Sequence, residues 1–332
     1  MENFIHLHFL CQTTSPWSIG RMYAEAPLIC CQSFLWGRAV RGPILNYLLR
    51  TYCPYFPKLP SCEKCLEKSN CPFYNLYGAD KRGELKDTPR LIVTSLTFKE
   101  TFGKMEFDRF PLLSRDSMTN GVALGPIFIE YIPPRTNFEF EALLIGKASE
   151  FDDYFIEAVR ATLSLTGWGA RCSRGCGRGR ILGNVRKHSF DKWVEDYIDK
   201  RVRDSSGLQE VSLRIFPILM LEKDKEVYYS SILEKGFLEK LRNSMQERYW
   251  QFFKRNHYLD IKSVSGPCTH TMIRAWSRKE NREKWFSGLT GSIKIRFKSK
   301  LNEEDLRVIG VSWYGIGRFK NQGFGSLRLM SP

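Results

Sequence analysis

The chain has 332 residues, of which 42% are hydrophobic and 14% aromatic, and its formal net charge is +15 at pH 7. This size and hydrophobic content allow two domains with their own cores and exclude an intrinsically disordered chain, and no apolar run reaches the roughly 18–20 residues that a membrane-spanning helix needs. The large positive charge predicts a polyanionic partner, with nucleic acid ahead of an anionic membrane surface.

The first predicted element is a strand that carries two histidines. Apolar and polar residues alternate from Phe4 to Leu10, which predicts a strand with His6 and His8 on the same face. Two histidines on one open face are candidates for acid–base chemistry or for contact with RNA. The alternative is a pair of half-exposed strand residues without a catalytic role.

The first predicted helix runs from Trp36 to Tyr52, where apolar residues recur at helical spacing. Gly42 and Pro43 are tolerated only near the start of a helix, so the regular part begins close to them. Arg38 and Arg41 lie at this N-terminal end. Backbone N–H groups and the helix dipole favour an anion there.

A cysteine-rich segment with the spacing C-x8-C-x2-C-x5-C follows the helix and comprises Cys53, Cys62, Cys65 and Cys71. Cys-x2-Cys is a metal knuckle and four thiolates suit tetrahedral zinc, so the segment predicts a structural zinc site, with an iron–sulfur site less favoured and free thiols as the alternative. We expect no metal in catalysis, because no histidine or carboxylate completes an open site. The cysteine usage and the lack of a signal-peptide pattern predict a cytoplasmic protein.

The remainder of the first half contains strands, a helix and a glycine-rich basic loop. Strands are predicted at 91–98, 122–132 and 137–145, and a helix at 150–166. Between Gly167 and Lys187 there are six basic residues and no acidic residue. Those expected to bind RNA are Arg171, Arg174, Arg178 and Arg180.

A second cycle of elements follows a polar helical linker at 188–207. The predicted elements are strands at 211–221, 271–277, 289–297 and 326–330 and helices at 228–253 and 302–309. Each half therefore has the order strand, helix, strand, strand, helix, strand. This order predicts an α+β protein of tandem ferredoxin-like, RRM-like βαββαβ domains, whose open sheet face is the surface that RRM proteins use for RNA.

The predicted domain boundaries follow from this repetition. An N-terminal domain is expected at 1–200, with a cysteine-rich insertion at 53–78 and the glycine-rich loop at 167–179. A C-terminal domain is expected at 205–332, with a second glycine-rich loop at 315–325.

The loop at 315–325 has two Gly-x-Gly pairs, formed by Gly315, Gly317, Gly323 and Gly325. Successive N–H groups in such a loop can form an anion-binding concavity, and Arg318 and Lys320 would add charge for a phosphate. The loop lacks the Gly-Lys-Ser/Thr of a Walker motif and the spacing of a dinucleotide fingerprint. A glycine-rich hairpin that closes the last sheet is the simpler interpretation.

The motifs together resemble those of the RAMP superfamily of CRISPR-associated proteins, whose hallmark is a near C-terminal G-h-G-x5-G-h-G loop (h is hydrophobic). In particular, the chain resembles the RAMP endoribonucleases that process precursor CRISPR RNA. The matching segments are the G-h-G-x5-G-h-G loop at 315–325, "L-R-G-a-l-x-x-x-L-r" at 41–50, the cysteine segment with "L-F/Y-G/E" at 62–78, "G-l-G…G-x-G-R" at 167–178, and "R-y-S-x-R-Q…G-G-l-x-G" at 274–291.

The resemblance implies an antiviral-defence nuclease that binds CRISPR repeat RNA and cleaves precursor crRNA. Many members have a catalytic histidine in or just after the first helix, but residues 37–56 of this chain contain none. Either a histidine elsewhere replaces it, or lysines and arginines do the work. Two other functions stay open: a non-catalytic RAMP subunit that holds crRNA among other effector subunits, and a general tandem RRM-like RNA-binding protein.

Metal-independent cleavage of this kind uses the nucleotide's own 2′-OH as nucleophile and leaves a 2′,3′-cyclic phosphate. It needs a base, an acid and cations at the phosphorane. The catalytic candidates are His8, His6 and His270, with Arg38 and Arg41 as stabilisers; Arg274 and Arg278 join the candidates for RNA binding. His8 ranks first, in a site expected between the domains near the start of the first helix.

Overall fold

The computed structural model describes residues 3–22, 28–31, 34–57, 62, 65–77, 89–98, 107–115, 122–169, 172–225, 227–277 and 282–330. The elements of the first half are β1 (Phe4–Thr13), β2 (Gly20–Met22), β3 (Leu28–Cys31), β4 (Phe34–Leu35), α1 (Gly37–Tyr52), α2 (Pro72–Tyr77), β5 (Leu91–Val93), β6 (Leu96–Phe98), β7 (Asp108–Arg115), β8 (Val122–Tyr131), β9 (Asn137–Ile145), α3 (Asp152–Ala161), β10 (Gly179–Ile181) and β11 (Arg186–His188).

The second half begins with a helical connection, here called the linker helix, in which α4 (Phe190–Trp193), a π-helical turn (Val194–Asp199) and α5 (Lys200–Val202) are continuous. The elements after it are β12 (Glu210–Leu219), β13 (Glu222–Asp224), β14 (Val227–Tyr228), α6 (Phe237–Phe253), β15 (Ile261–Ser265), β16 (Cys268–Ser277), β17 (Arg282–Phe297), α7 (Glu303–Val311) and β18 (Ser326–Leu329). In the part of the chain that the structure describes, no helix is long and apolar enough to cross a membrane.

The first domain has the strand order of a ferredoxin-like sheet. Its strands lie in the order β10–β1–β9–β6–β4, with β11 also on β1 and β5 also on β9, and every pairing is antiparallel. Along the chain these strands alternate with α1 and α3 as βαββαβ. This order confirms the predicted fold for the first half.

The second domain repeats the arrangement. Its sheet has the order β15–β17–β12–β18, again antiparallel, and α6 and α7 occupy the two helical positions of the βαββαβ sequence. Strand β16 pairs with the N-terminal part of β17 and forms a long hairpin. A separate four-stranded sheet, β2–β3–β8–β7, is added to the first half. The prediction of tandem ferredoxin-like domains is therefore confirmed by topology alone.

The alternation along β1 decides which residues face the helices. Leu7 and Phe9 are fully buried in one core with Val40 and Ile44 of α1. Because successive side chains of a strand point to opposite faces, His6 and His8 lie on the face away from α1. The expectation that these histidines lie near the start of the first helix is therefore wrong, since the sheet separates them from it.

The linker helix covers part of that other face. Trp193, Ile198 and Val202 are buried in a second core, together with Leu143 of β9 and residues of the second domain. The segment is helical as predicted, but its apolar side is a packing layer between the two sheets. The open face that was expected to bind RNA is therefore partly covered by the chain itself.

Candidate active site

The two glycine-rich loops close by the same backbone crossing. In the C-terminal loop, the Ile316 N–H donates to the Gly325 carbonyl at 2.9 Å, and in the first loop the Trp168 N–H donates to the Gly177 carbonyl at 2.9 Å. A Cβ on Gly325 would stand 2.1 Å from the Ile316 oxygen, closer than any side chain tolerates. Close backbone approach therefore explains the four Gly-x-Gly glycines of the C-terminal loop and Gly177 of the first loop, whereas a Cβ on Gly175 would meet nothing within 4 Å.

The C-terminal loop packs against the first domain at the start of α1. The Ser95 hydroxyl donates to the Gly323 carbonyl at 2.8 Å and accepts from the Gly37 N–H at 3.4 Å. A Cβ on Gly323 would meet the Ser95 nitrogen at 2.7 Å. The Phe324 ring packs on Trp36 with 5.1 Å between the ring centroids. The loop thus joins the two domains next to the N-terminus of α1, where Arg38 lies.

Several backbone N–H groups of this loop already have protein acceptors, namely those of Gly315, Ile316, Arg318, Gly323 and Gly325. The charged side chains are also paired, because Arg318 contacts Glu222 at 2.7 Å and Lys320 contacts Glu247 at 2.6 Å. These five N–H groups are therefore occupied by protein acceptors, and the prediction that they form an anion-binding concavity is wrong. A phosphate role for Arg318 and Lys320, which would have to displace a carboxylate, stays a prediction.

Arg248 of α6 donates hydrogen bonds to the C-terminal loop, and the sequence did not identify it as a functional residue. Its side chain is fully buried and donates to the carbonyls of Gly315 at 2.6 Å and Tyr314 at 2.9 Å, and to the Asn321 side chain at 3.1 Å. Burial lowers the pKa of Arg248 to about 9, so it stays charged at neutral pH. No spacing rule identifies an arginine that binds carbonyls more than sixty residues away.

A buried carboxylate lies where both domains meet the linker helix. Glu141 of β9 accepts hydrogen bonds from His6 Nε2 at 2.8 Å, from the Arg201 guanidinium and from the Tyr314 hydroxyl. Burial alone would raise the pKa of Glu141, but the Arg201 charge and the hydrogen bonds from His6 and Tyr314 outweigh burial and hold this pKa well below its ordinary value. Glu141 is therefore ionised at neutral pH.

His8 and His188 lie beside this buried centre and reach the surface. His8 Nδ1 lies 3.3 Å from the Tyr197 hydroxyl of the linker helix, and His8 Nε2 lies 3.4 Å from a Glu139 oxygen. His188 Nδ1 lies 3.2 Å from His6 Nδ1. His6 is fully buried, whereas His8, His188 and Tyr197 are half-buried. Two half-buried imidazoles therefore lie on one face.

The basic segment forms the edge of the sheet next to these histidines. Strands β10 and β11 both pair with β1, with Arg180 opposite Gln12 and Arg186 opposite His8. Arg178, Arg180 and Arg186 are exposed. Arg180 donates to the Gln12 side chain at 2.9 Å. The exposed arginines thus lie alongside β1, the strand that carries His8.

The other predicted residues lie elsewhere. The Arg38 guanidinium is 5.8 Å from the centre of the Phe286 ring, and Arg41 donates to the Tyr77 carbonyl at 3.2 Å. His270 is exposed on β16 and contacts the Ser287 hydroxyl at 2.6 Å. Arg171, Arg278 and the side chains of Arg174 and Arg274 lie outside the described residues. The structure therefore does not bring the five catalytic candidates together.

The four cysteines of the predicted zinc segment line one cavity of about 470 Å³, together with Tyr52, Phe73, Tyr74 and Tyr154. Burial and the neighbouring thiols raise the pKa of Cys62 and, despite backbone hydrogen bonds, that of Cys71. Four thiols around one space fit tetrahedral zinc chemically. Within the described residues, however, no group of three or more potential ligands is arranged to hold a metal ion. Zinc therefore stays a prediction and requires the thiols to move closer together.

If zinc binds here, the purified protein should contain about one zinc ion per chain, as in a four-thiolate structural site. The Cys62→Ser/Cys65→Ser double variant should lose the metal and unfold at a lower temperature. Elemental analysis and thermal unfolding measure both effects, with Cys268→Ser as the control, because Cys268 lies outside the cavity. Wild-type protein that is free of metal after expression in zinc-supplemented medium would exclude the site.

Replacing Glu141 with Gln should lower the free energy of unfolding by about 3–5 kcal/mol at pH 7, because the Arg201 charge is left buried without its counter-ion. The folded-state pKa of Glu141 is lower than its unfolded value. Its contribution to stability is therefore fully present above the unfolded pKa of about 4 and is lost as the pH falls further.

Urea unfolding from pH 8 to pH 3.5 measures this difference between wild type and Glu141→Gln. The difference should be constant above about pH 5 and shrink below about pH 4. Glu139→Gln is a matched control on the same strand face, where the side chain is 41% exposed, and should change stability by less than about 1 kcal/mol. An unchanged difference down to pH 3.5 would mean that Glu141 is not the ionised centre.

No protein-family model matches the chain, and no curated protein sequence is detectably similar to it. Among solved structures, the chain is similar to a Cas6 product complex, with 12% identity, 98% of this chain and 100% of that chain covered, and a TM-score of 0.46. A second Cas6 product complex gives 10% identity, 98% and 99% coverage, and a TM-score of 0.45. A type III-B Cmr-beta bound to cognate target RNA gives 12% identity, 56% and 61% coverage, and a TM-score of 0.40.

Proposed function

We propose that this protein binds CRISPR repeat RNA and cleaves precursor crRNA by attack of the 2′-OH on the adjacent phosphate. The observation that carries the proposal is the basic edge of the first sheet, where β10 and β11 place exposed arginines next to β1, the strand that carries His8. A polyanion bound along these arginines passes the half-buried imidazoles of His8 and His188. The motif resemblance to RAMP endoribonucleases supplies the class of RNA.

The chemistry needs a base at the 2′-OH, an acid at the leaving 5′-oxygen and a cation at the phosphorane. Imidazoles suit the first two tasks because they titrate near neutral pH. Arg186 lies directly opposite His8 in the strand register, and an arginine stays charged in every state of the reaction. The proposed site is therefore the His8 face of the first sheet, and Arg38 and Arg41 at the start of α1 are left for RNA binding.

The second candidate function is a non-catalytic subunit that holds crRNA in an effector complex. The observation that favours it is the start of α1, where the chain has no histidine between residues 37 and 56 and the adjacent glycine loop is held by protein contacts. Such a subunit would keep the basic edge and bind RNA without cutting it.

Incubation of the purified protein with end-labelled repeat RNA in EDTA tests the proposal. One defined cut with a 2′,3′-cyclic phosphate end is expected for wild type, and His8→Ala should cleave about 10²–10⁴-fold more slowly with unchanged RNA affinity. His257→Gln is the control, since His257 contacts Asp305 near α7. Tight binding with no cut by wild type would favour the non-catalytic subunit.

Arg178 and Arg180 should contribute to RNA affinity through phosphate contacts. Replacing both with Ala should weaken binding and reduce the slope of log affinity against log salt by roughly 1.4, because each lost contact with single-stranded RNA removes about 0.7. Fluorescence anisotropy at several salt concentrations measures the slope. The control is Arg255→Ala/Lys298→Ala, two exposed cations of the second domain. Equal slopes for the two double variants would place the RNA elsewhere.

A further inference from the structure

Three of the five histidines of the chain surround one tyrosine ring. The centre of the Tyr197 ring is 4.2 Å from that of His6, 5.8 Å from that of His8 and 5.0 Å from that of His188. His188 follows the basic segment and comes just before a helix, so the sequence gives it no distinction. The antiparallel pairing of β11 with β1 puts it opposite His6.

The hydrogen bonds between Glu141, His6 and His188 set which ring nitrogen of His6 and of His188 carries a proton. Ionised Glu141 can only accept, so His6 Nε2 carries the proton in their 2.8 Å contact. Burial lowers the pKa of His6, although Glu141 opposes this shift, and a neutral His6 has a lone pair on Nδ1. His188 Nδ1, 3.2 Å away, must then donate to it. This leaves a lone pair on His188 Nε2.

We infer that His188 is the general base of the proposed cleavage and that His8 is the general acid. The hydrogen bonds from His6 to Glu141 and from His188 to His6 hold His188 in its reactive tautomer. The inference rests on the proposed function and adds His188 to His8 as a second reacting side chain. His6 and Glu141 are positioning residues in this account, because His6 is fully buried and Glu141 nearly so.

The reaction is balanced without water, metal or another reactant. His188 Nε2 takes the proton of the 2′-OH while the 2′-oxygen forms a bond to phosphorus. The bond between phosphorus and the 5′-oxygen breaks, and His8 gives its proton to that oxygen. The products are a 2′,3′-cyclic phosphate and a 5′-OH, and the two histidines exchange protons with solvent before the next cycle.

The groups around His188 determine its titration. Burial lowers the pKa of His188, Asp196 of the linker helix opposes this shift, and the remaining influences are from His8, Arg186 and Lys192, each of which lowers the pKa further. His188 is therefore neutral at pH 7, as a general base must be. Its His6 neighbour is neutral as well.

The surroundings of His8 differ from those of His188. His8 faces the Glu139 carboxylate from β9 and the Tyr197 hydroxyl from the linker helix, and Arg186 and His188 come from β11. The Glu139 side chain is 41% exposed, so an RNA phosphate oxygen can replace it at His8. Tyr197 contacts all three imidazoles.

Single-turnover cleavage of repeat RNA by His188→Ala from pH 4.5 to pH 8.5 tests the assignment. Wild-type rates should rise with pH through a pKa lower than that of a free imidazole, since only neutral His188 accepts the proton. His188→Ala should be slower by about 10²–10⁴-fold and should lose this rise. Added imidazole should restore part of the rate to His188→Ala. RNA affinity and thermal unfolding, measured in parallel, establish that the variant is folded.

His257→Gln is the matched control and should keep both the rate and the pH profile. Cleavage by His188→Ala at the wild-type rate, while His8→Ala is inactive, would overturn the role of His188 and leave the proposed function standing. A slow His188→Ala whose pH profile keeps the wild-type rise and which imidazole does not restore would also overturn it, since a structural defect alone gives that result. Wild-type protein that binds but never cuts would overturn the function itself.

Discussion

The structure depends on one buried carboxylate. Glu141 lies on the first sheet, and its partners are His6 of the same sheet, Arg201 of the linker helix and Tyr314 just before the C-terminal glycine loop. A buried charge is tolerated only when it is paired and hydrogen-bonded. The ionised carboxylate of Glu141 therefore requires that these three partners lie beside it. Glu141 is thus one of the contacts that fix the relative position of the two ferredoxin-like domains, together with the packing of the C-terminal glycine loop on Ser95 and Trp36.

The same interaction connects packing with chemistry. Because Glu141 is ionised, His6 carries its proton on Nε2. His6 Nδ1 then accepts a hydrogen bond from His188 Nδ1, and this contact sets the tautomer of His188. The carboxylate that helps to join the domains therefore also sets the tautomer of the half-buried His188. The glycine-rich loop takes part on the structural side: Arg248 and Ser95 hold its carbonyls, and Tyr314 precedes it.

The fold was predictable from sequence because its signals are local. Period-two alternation in β1 and period-3.6 apolar residues in α1 set the element types, and the repeated order of elements set the topology. The site was less predictable because its residues are brought together by strand register. The sequence places His6 and His8 on one face correctly, but only the pairing of β11 with β1 shows that His188 joins them.

The glycine loop shows the other limit of sequence reasoning. Its spacing indicates close backbone approach equally well for a bound phosphate and for a second strand of the same chain. In the structure the close partners are the protein's own carbonyls, such as those of Ile316 and Met220. Which partner a glycine approaches is decided by tertiary packing, and local sequence does not contain that information.

The central claim is that the RNA supplies its own nucleophile, and a single atom tests it most directly. A repeat RNA with one 2′-deoxynucleotide on the 5′ side of the mapped cut lacks the attacking oxygen but keeps every phosphate. The account predicts unchanged affinity and no cleavage of this RNA at any pH, with full cleavage when the deoxynucleotide is moved by one position. Cleavage of the deoxy-substituted bond at the normal rate would contradict the account, because a water or a protein side chain would then be the nucleophile.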